Sequence, residues 1–111
     1  MGKFVKGDVV VIPFPFSDLS QSKRRPALVL SVLPGNDLIL CQITSQKVRD
    51  SLSIALDDSD FDSGSLKSPS NIRPNRIFTA DEAIILYKVG TINPKKMDLV
   101  TKQLVEILNK Y

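Results

Sequence analysis

Apolar residues in this chain come in short runs, each ended by a turn or a proline. Lys6-Gly7-Asp8 marks a turn, and the run Val9-Val10-Val11-Ile12 behind it is too short and too β-branched for a helix. It predicts a first strand over 9–12, closed by Pro13 and Pro15, with Phe14 and Phe16 set to anchor the next loop on a core. Residues 17–25 form a polar loop whose only acid is Asp18. The second strand follows Pro26 and runs to about residue 33. Proline lacks an N–H and fixes its own φ, so it suits a strand's first residue or an edge, and it drives the residue before it toward an extended backbone. Arg25 is thereby placed where a loop meets the core.

Pro34-Gly35-Asn36-Asp37 predicts a tight turn, with a third strand over 38–43 completing a hairpin. By alternation, Ile39, Cys41 and Ile43 share one face of it, and Leu38, Leu40 and Gln42 the other. Cys41 then reads as a small core residue. A fourth strand is expected over 51–56. Residues 57–69 read as a polar loop; their acids lack the spacing and closing Glu of an EF-hand. A strand over 70–79 is expected to break at Pro74, with further strands over 83–86 and 88–92. Asn93 and Pro94 are a helix N-cap and first helical residue. Met97, Val100, Leu104, Ile107, Leu108 and Tyr111 then fall on one stripe of a helix over 94–111. The sum is one mainly β domain over 1–111, a small, strongly bent antiparallel sheet or barrel with a C-terminal helix.

Composition narrows the chemistry. The 111 residues are 42% hydrophobic and 24% charged, the balance of a folded domain. No apolar run approaches a membrane span, and residues 1–10 hold no long apolar stretch, so a secretory signal is not expected. With a single cysteine, the expected compartment is the cytoplasm. There is no histidine, so Ser-His and Cys-His arrangements are excluded, and no metal or other cofactor is expected. The net charge is +3, with cations grouped at Lys23-Arg24-Arg25, at Lys47 and Arg49, and at Arg73 and Arg76. Such grouping points to a basic face if the fold unites the groups. A solvated basic turn ahead of a core strand is the plainer alternative.

Arg25, Thr44 and Arg73 each fall at a strand end or a strand–loop junction, where functional side chains are commonly presented. Brought together, two guanidiniums and a hydroxyl suit a phosphodiester: arginine binds phosphate bidentately, and a threonine hydroxyl can donate to a non-bridging oxygen. RNA supplies its own nucleophile in the 2′-OH, so no metal is required. Cleavage would leave a 2′,3′-cyclic phosphate and a 5′-OH. Arginine is too weak a base to take the 2′-OH proton; Asp18 could orient or deprotonate, or could simply be a turn residue.

Gly7-Asp8-Val9-Val10, the run from Arg25-Pro26 to Ser31, Ile43-Thr44-Ser45-Gln46, Ser70-Asn71-Ile72-Arg73-Pro74 and Val89-Gly90-Thr91-Ile92 together resemble the MazF/PemK family of bacterial toxins. The resemblance implies an SH3-like barrel with a terminal helix, of the CcdB/MazF-like kind, acting as a homodimer. It implies a metal-independent endoribonuclease that cuts single-stranded RNA at a short sequence, and a cognate antitoxin whose disordered tail covers the RNA groove. It assigns catalysis to Arg25 and Thr44, with Arg73 the match to an arginine catalytic in some members. Lys23, Arg24, Ser45 and Gln46 would line the RNA path. The segment 14–24 departs from the pattern in lacking the Gly-rich, Glu- or His-containing sequence many members carry, and Asp18 is the candidate to substitute. Two other readings use the same fold: a non-catalytic barrel that binds RNA or protein, and a gyrase-targeting toxin of the CcdB type. The chain lacks the Trp-Gly-Ile ending that goes with the latter.

Overall fold

A computed structural model describes residues 3–14 and 23–111. Seven strands, β1 (Asp8–Phe14), β2 (Lys23–Val32), β3 (Asp37–Thr44), β4 (Ile54–Leu56), β5 (Phe61–Gly64), β6 (Ser70–Asp81) and β7 (Tyr87–Ile92), precede one helix, α1 (Pro94–Lys110). They form one antiparallel sheet in the order β4-β6-β3-β2-β1-β7-β5. The two edge strands, β4 and β5, are close in sequence. Laid flat, seven strands at the usual spacing would separate them by about 29 Å. The chain from Leu56 to Phe61 spans at most about 19 Å. The sheet therefore has to curl, and the result is a half-barrel.

Alternation gives the curled sheet two apolar faces. Inside lie Val9, Leu28, Leu30, Cys41, Ile43, Leu56, Ile72 and Ile92, closed over by Met97 and Val100 of α1. Outside lie Val10, Ile12, Ala27, Val29, Leu38 and Leu40, packed with Phe4, Phe78, Ala80 and Ile85. The predicted faces of β3 are both present, and Cys41 is fully buried, its thiol pushed up to about 12 by desolvation.

Helix α1 starts where the curl closes. The Asn93 side chain accepts from the Lys96 N–H at 2.7 Å, and Pro94 occupies the first helical position as expected. The Asn93 N–H reaches the Asp60 carbonyl at 2.8 Å, and Lys96 Nζ bonds the Ala55 carbonyl at 3.0 Å. The expected apolar stripe fades along the helix: Met97 and Val100 are buried, Leu104 is partly buried, and Leu108 and Tyr111 are exposed. Its last turns contribute no buried residue to the core.

Several expectations need correction. β2 begins at Lys23, ahead of Pro26, so Arg25 lies inside the strand rather than in a loop, and β4 is confined to Ile54–Leu56. Residues 57–69 are not all loop: a 3-10 turn at Asp58–Asp60 leads into β5. That strand buries no side chain fully and is held by pairing with β7, so no alternation announces it. Residues 82–84 are a 3-10 turn capped by Asp81, not strand. The expected interruption at Pro74 is present as a bulge within one continuous β6. Cys41 faces Ile77 while Gln42 faces Arg73, so Pro74, Asn75 and Arg76 bulge out of the ladder with β3, which is how a residue without an N–H is accommodated there.

Candidate functional site

The outer face turns polar at one end. On β2 the outward series Val29, Ala27 ends in Arg25; on β3 the series Leu38, Leu40 continues to Gln42 and Thr44. Gln42 is the point of registration, opposite Ala27 of β2 on one side and Arg73 of β6 on the other. Arg25 lies two residues beyond Ala27, Thr44 two beyond Gln42, and Asn71 stands opposite Thr44. Three neighbouring strands thus bring Arg25, Gln42, Thr44, Asn71 and Arg73 to one end of one face. Both arginines precede a proline, Pro26 and Pro74, which holds each backbone extended at the point where its side chain leaves the sheet.

Thr44 is 8% exposed, and its Oγ1 accepts the Gln46 N–H at 3.1 Å. That bond uses a lone pair and leaves the hydroxyl proton to be donated elsewhere. The Asn71 side chain donates to the Gln46 carbonyl at 3.3 Å, tying the bend after Thr44 back to β6. Arg73 donates through Nη2 to Asp50 Oδ2 at 3.1 Å, while its Nε is buried without a hydrogen-bond partner among the described residues. Asp50 Oδ1 accepts the Leu52 N–H at 3.0 Å. This backbone bond and the Arg73 pairing hold the Asp50 carboxyl below the usual carboxylate range. Arg25 is half-buried, with no ion-pair partner among the described residues.

Of the other predicted site residues, Ser45 and Gln46 are exposed in the bend after β3. Arg24 is exposed but alternates to the face opposite Arg25. Asp18 and the side chain of Lys23 lie outside the described residues. Gln42, Asn71 and Asp50 were missed by sequence reasoning. The first two are legible once the β3–β6 register is known; Asp50 reaches Arg73 across 23 residues, and no local pattern announces it.

Asp8, from the Gly-Asp pair, is a brace remote in register from this end. It is 1% exposed, accepts from the Val5 N–H at 2.9 Å and the Thr91 hydroxyl at 2.8 Å, and so ties the chain's start to β7.

A model of PemK-like, MazF-like toxins of type II toxin–antitoxin systems matches residues 5–108. Among solved structures, the fold is similar to an endoribonuclease in complex with its cognate antitoxin from a mycobacterial species, at a TM-score of 0.76 and 15% identity over 97% of each chain. It is also similar to MazF from Deinococcus radiodurans, at 0.73 and 20% over 96% of each chain. The Mycobacterium tuberculosis toxin MazF-mt6 matches at 0.72 and 13%, over 92% of this chain and 96% of its own. No curated protein matches the sequence. The structural likeness is one of fold; the family match spans nearly the whole chain, from ahead of β1 into the last turns of α1, and the chain belongs to the PemK-like, MazF-like toxin family of type II toxin–antitoxin systems.

Proposed function

We propose that the protein is an endoribonuclease that cleaves single-stranded RNA at a short sequence, without a metal. The observation that carries the reading is the shared position of Arg25, Thr44 and Arg73 at the polar end of one sheet face. An RNA phosphate seated there meets two fixed positive charges and a hydroxyl donor. The 2′-oxygen attacks phosphorus in line, the bond to the 5′-oxygen breaks, and the products are a 2′,3′-cyclic phosphate and a 5′-OH. The 2′-OH gives up its proton as the 5′-oxygen gains one. Arg25 and Arg73 neutralise charge gathering on the non-bridging oxygens, and Thr44 donates to one of them. Asp18 is the candidate to receive the 2′-OH proton. Lys23, Ser45 and Gln46 guide the flanking RNA, while Arg24, on the opposite face of β2, stands outside that path.

The toxin acts in the cytoplasm as a homodimer and is silenced by a cognate antitoxin. Support for the antitoxin comes from the family match and from a structural relative described in complex with its own. The test is to incubate purified protein with a long single-stranded RNA in EDTA and map the ends. Discrete cuts with 5′-OH ends, absent with Arg25→Ala, are expected. Cutting that chelation stops and a divalent ion restores would overturn the metal-free mechanism. No cutting by the folded wild type would leave a binding module or a toxin with a protein target.

A further inference from the structure

The loop between β3 and β4 is fastened at three points. Asn71 holds Gln46, Arg73 holds Asp50, and Gln103 of α1 donates through Nε2 to the Leu52 carbonyl at 3.1 Å. Asp50 is central to this arrangement because its two oxygens bind different partners. Oδ1 closes the turn to Leu52, and Oδ2 receives Arg73. The carboxylate is fixed to backbone that is itself fixed to the helix. It is therefore a rigid anchor for a long side chain that would otherwise sample many rotamers.

The grip on Arg73 is partial. One Nη2 donor is spent on Asp50, and the buried Nε–H has no acceptor among the described residues. A guanidinium satisfied by a carboxylate uses two parallel N–H donors. Arg73 is instead aimed by one contact and left with unspent donors, which is the condition of a group awaiting a second anion. The Arg73 side chain is 19% exposed and that of Asp50 31%, so this pairing lies at the mouth of the site rather than in the core.

We propose that Asp50 is a positioning residue for the reaction: anchored through Leu52 to α1, it orients Arg73 toward the phosphate bound beside Thr44. It touches neither the phosphate nor the 2′-OH. The proposal rests on the endoribonuclease reading above and adds to it a residue outside the family motifs.

Asp50→Asn tests it, since Asn keeps one oxygen for Leu52 and puts an amide NH2 opposite Arg73, removing both the charge and the acceptor that hold it. Cleavage of an all-ribose RNA, and binding of the same RNA with a 2′-deoxy substitution at the cut site, are measured for wild type, Asp50→Asn, Arg73→Ala and the double variant. Misaiming a charge by about 1 Å can cost up to about 100-fold. The expected result is a kcat about tenfold lower for Asp50→Asn, with KM and deoxy-RNA affinity within about twofold, and no further loss when Arg73 is already Ala. Wild-type rates in Asp50→Asn would overturn the role of Asp50 alone, as would an equal loss in the Arg73→Ala background or a loss that tracks affinity. A wild type that cuts no RNA brings down the proposed function, and this role with it.

Discussion

The two faces of the sheet are built from the same strands and put to different uses. Inside, every strand gives apolar residues to a single core shared with α1. Outside, the apolar cover ends partway along, and the remaining positions of β2, β3 and β6 carry Arg25, Gln42, Thr44, Asn71 and Arg73. Ile43 and Thr44 are neighbours in sequence, yet one sits in the inner core and the other at the polar end of the outer face. Because strand side chains alternate, the register that buries Ile43 also turns Thr44 outward. The contrast teaches that the site's geometry is a by-product of the core's packing: the residues that stabilise the inner face set where the outer ones point.

The contrast can be broken most severely from the inside. Leu28 is fully buried, and Leu28→Ala is expected to cost about 3–4 kcal/mol of stability, measured by urea unfolding. A cost under about 1 kcal/mol would mean the inner face is not the stabilising one. Three residues away, Arg25→Ala should leave stability within about 0.5 kcal/mol while slowing RNA cleavage by about 10³-fold, or about 4 kcal/mol of barrier. Equal damage to fold and activity would erase the division between faces.

Thr44→Val is a finer test. It keeps shape and removes the hydroxyl, so cleavage should fall about 100-fold with RNA affinity little changed. An unchanged rate would reduce Thr44 to a structural residue. The smallest effect is electrostatic. The Asp50 carboxyl is held below the usual carboxylate range in the fold, chiefly by the Leu52 N–H and by Arg73. Its contribution to stability is therefore present above the unfolded-state pKa and lost as pH falls through the folded one. Wild type should exceed Asp50→Asn slightly near neutral pH, and the difference should vanish in acid. A difference constant across pH would assign it to something other than this charge.

Much of this was legible from the chain because pattern and fold agree. The alternation of residues 38–43 forecast both faces of β3, and Asn93-Pro94 forecast the start of α1. Thr44 could be named from its strand end, and Arg25 and Arg73, which lie inside β2 and β6, from family resemblance; their meeting on one face depends on register, which only strand pairing defines. β5 was missed because its stability comes from backbone pairing, and Asp50 because its partner lies far away in sequence. The stripe of α1 overstated burial: Leu108 and Tyr111 keep the periodicity and remain exposed.

The pairing of β5 with β7 has a dynamic consequence. Gly64, at φ +76°, faces Gly90 so closely that a Cβ on Gly64 would lie 2.0 Å from the Val89 carbonyl oxygen, and one on Gly90 2.3 Å from that of Ser63. These two backbones meet almost without side chains between them, at the edge of the sheet. Local opening takes least free energy where the fewest apolar contacts are lost. Amide protons of β5 should therefore exchange with solvent sooner than those of β2 and β3. The protein can breathe at this seam, which lies three strands along the ladder from β2, while the strands that carry Arg25, Thr44 and Arg73 stay closed.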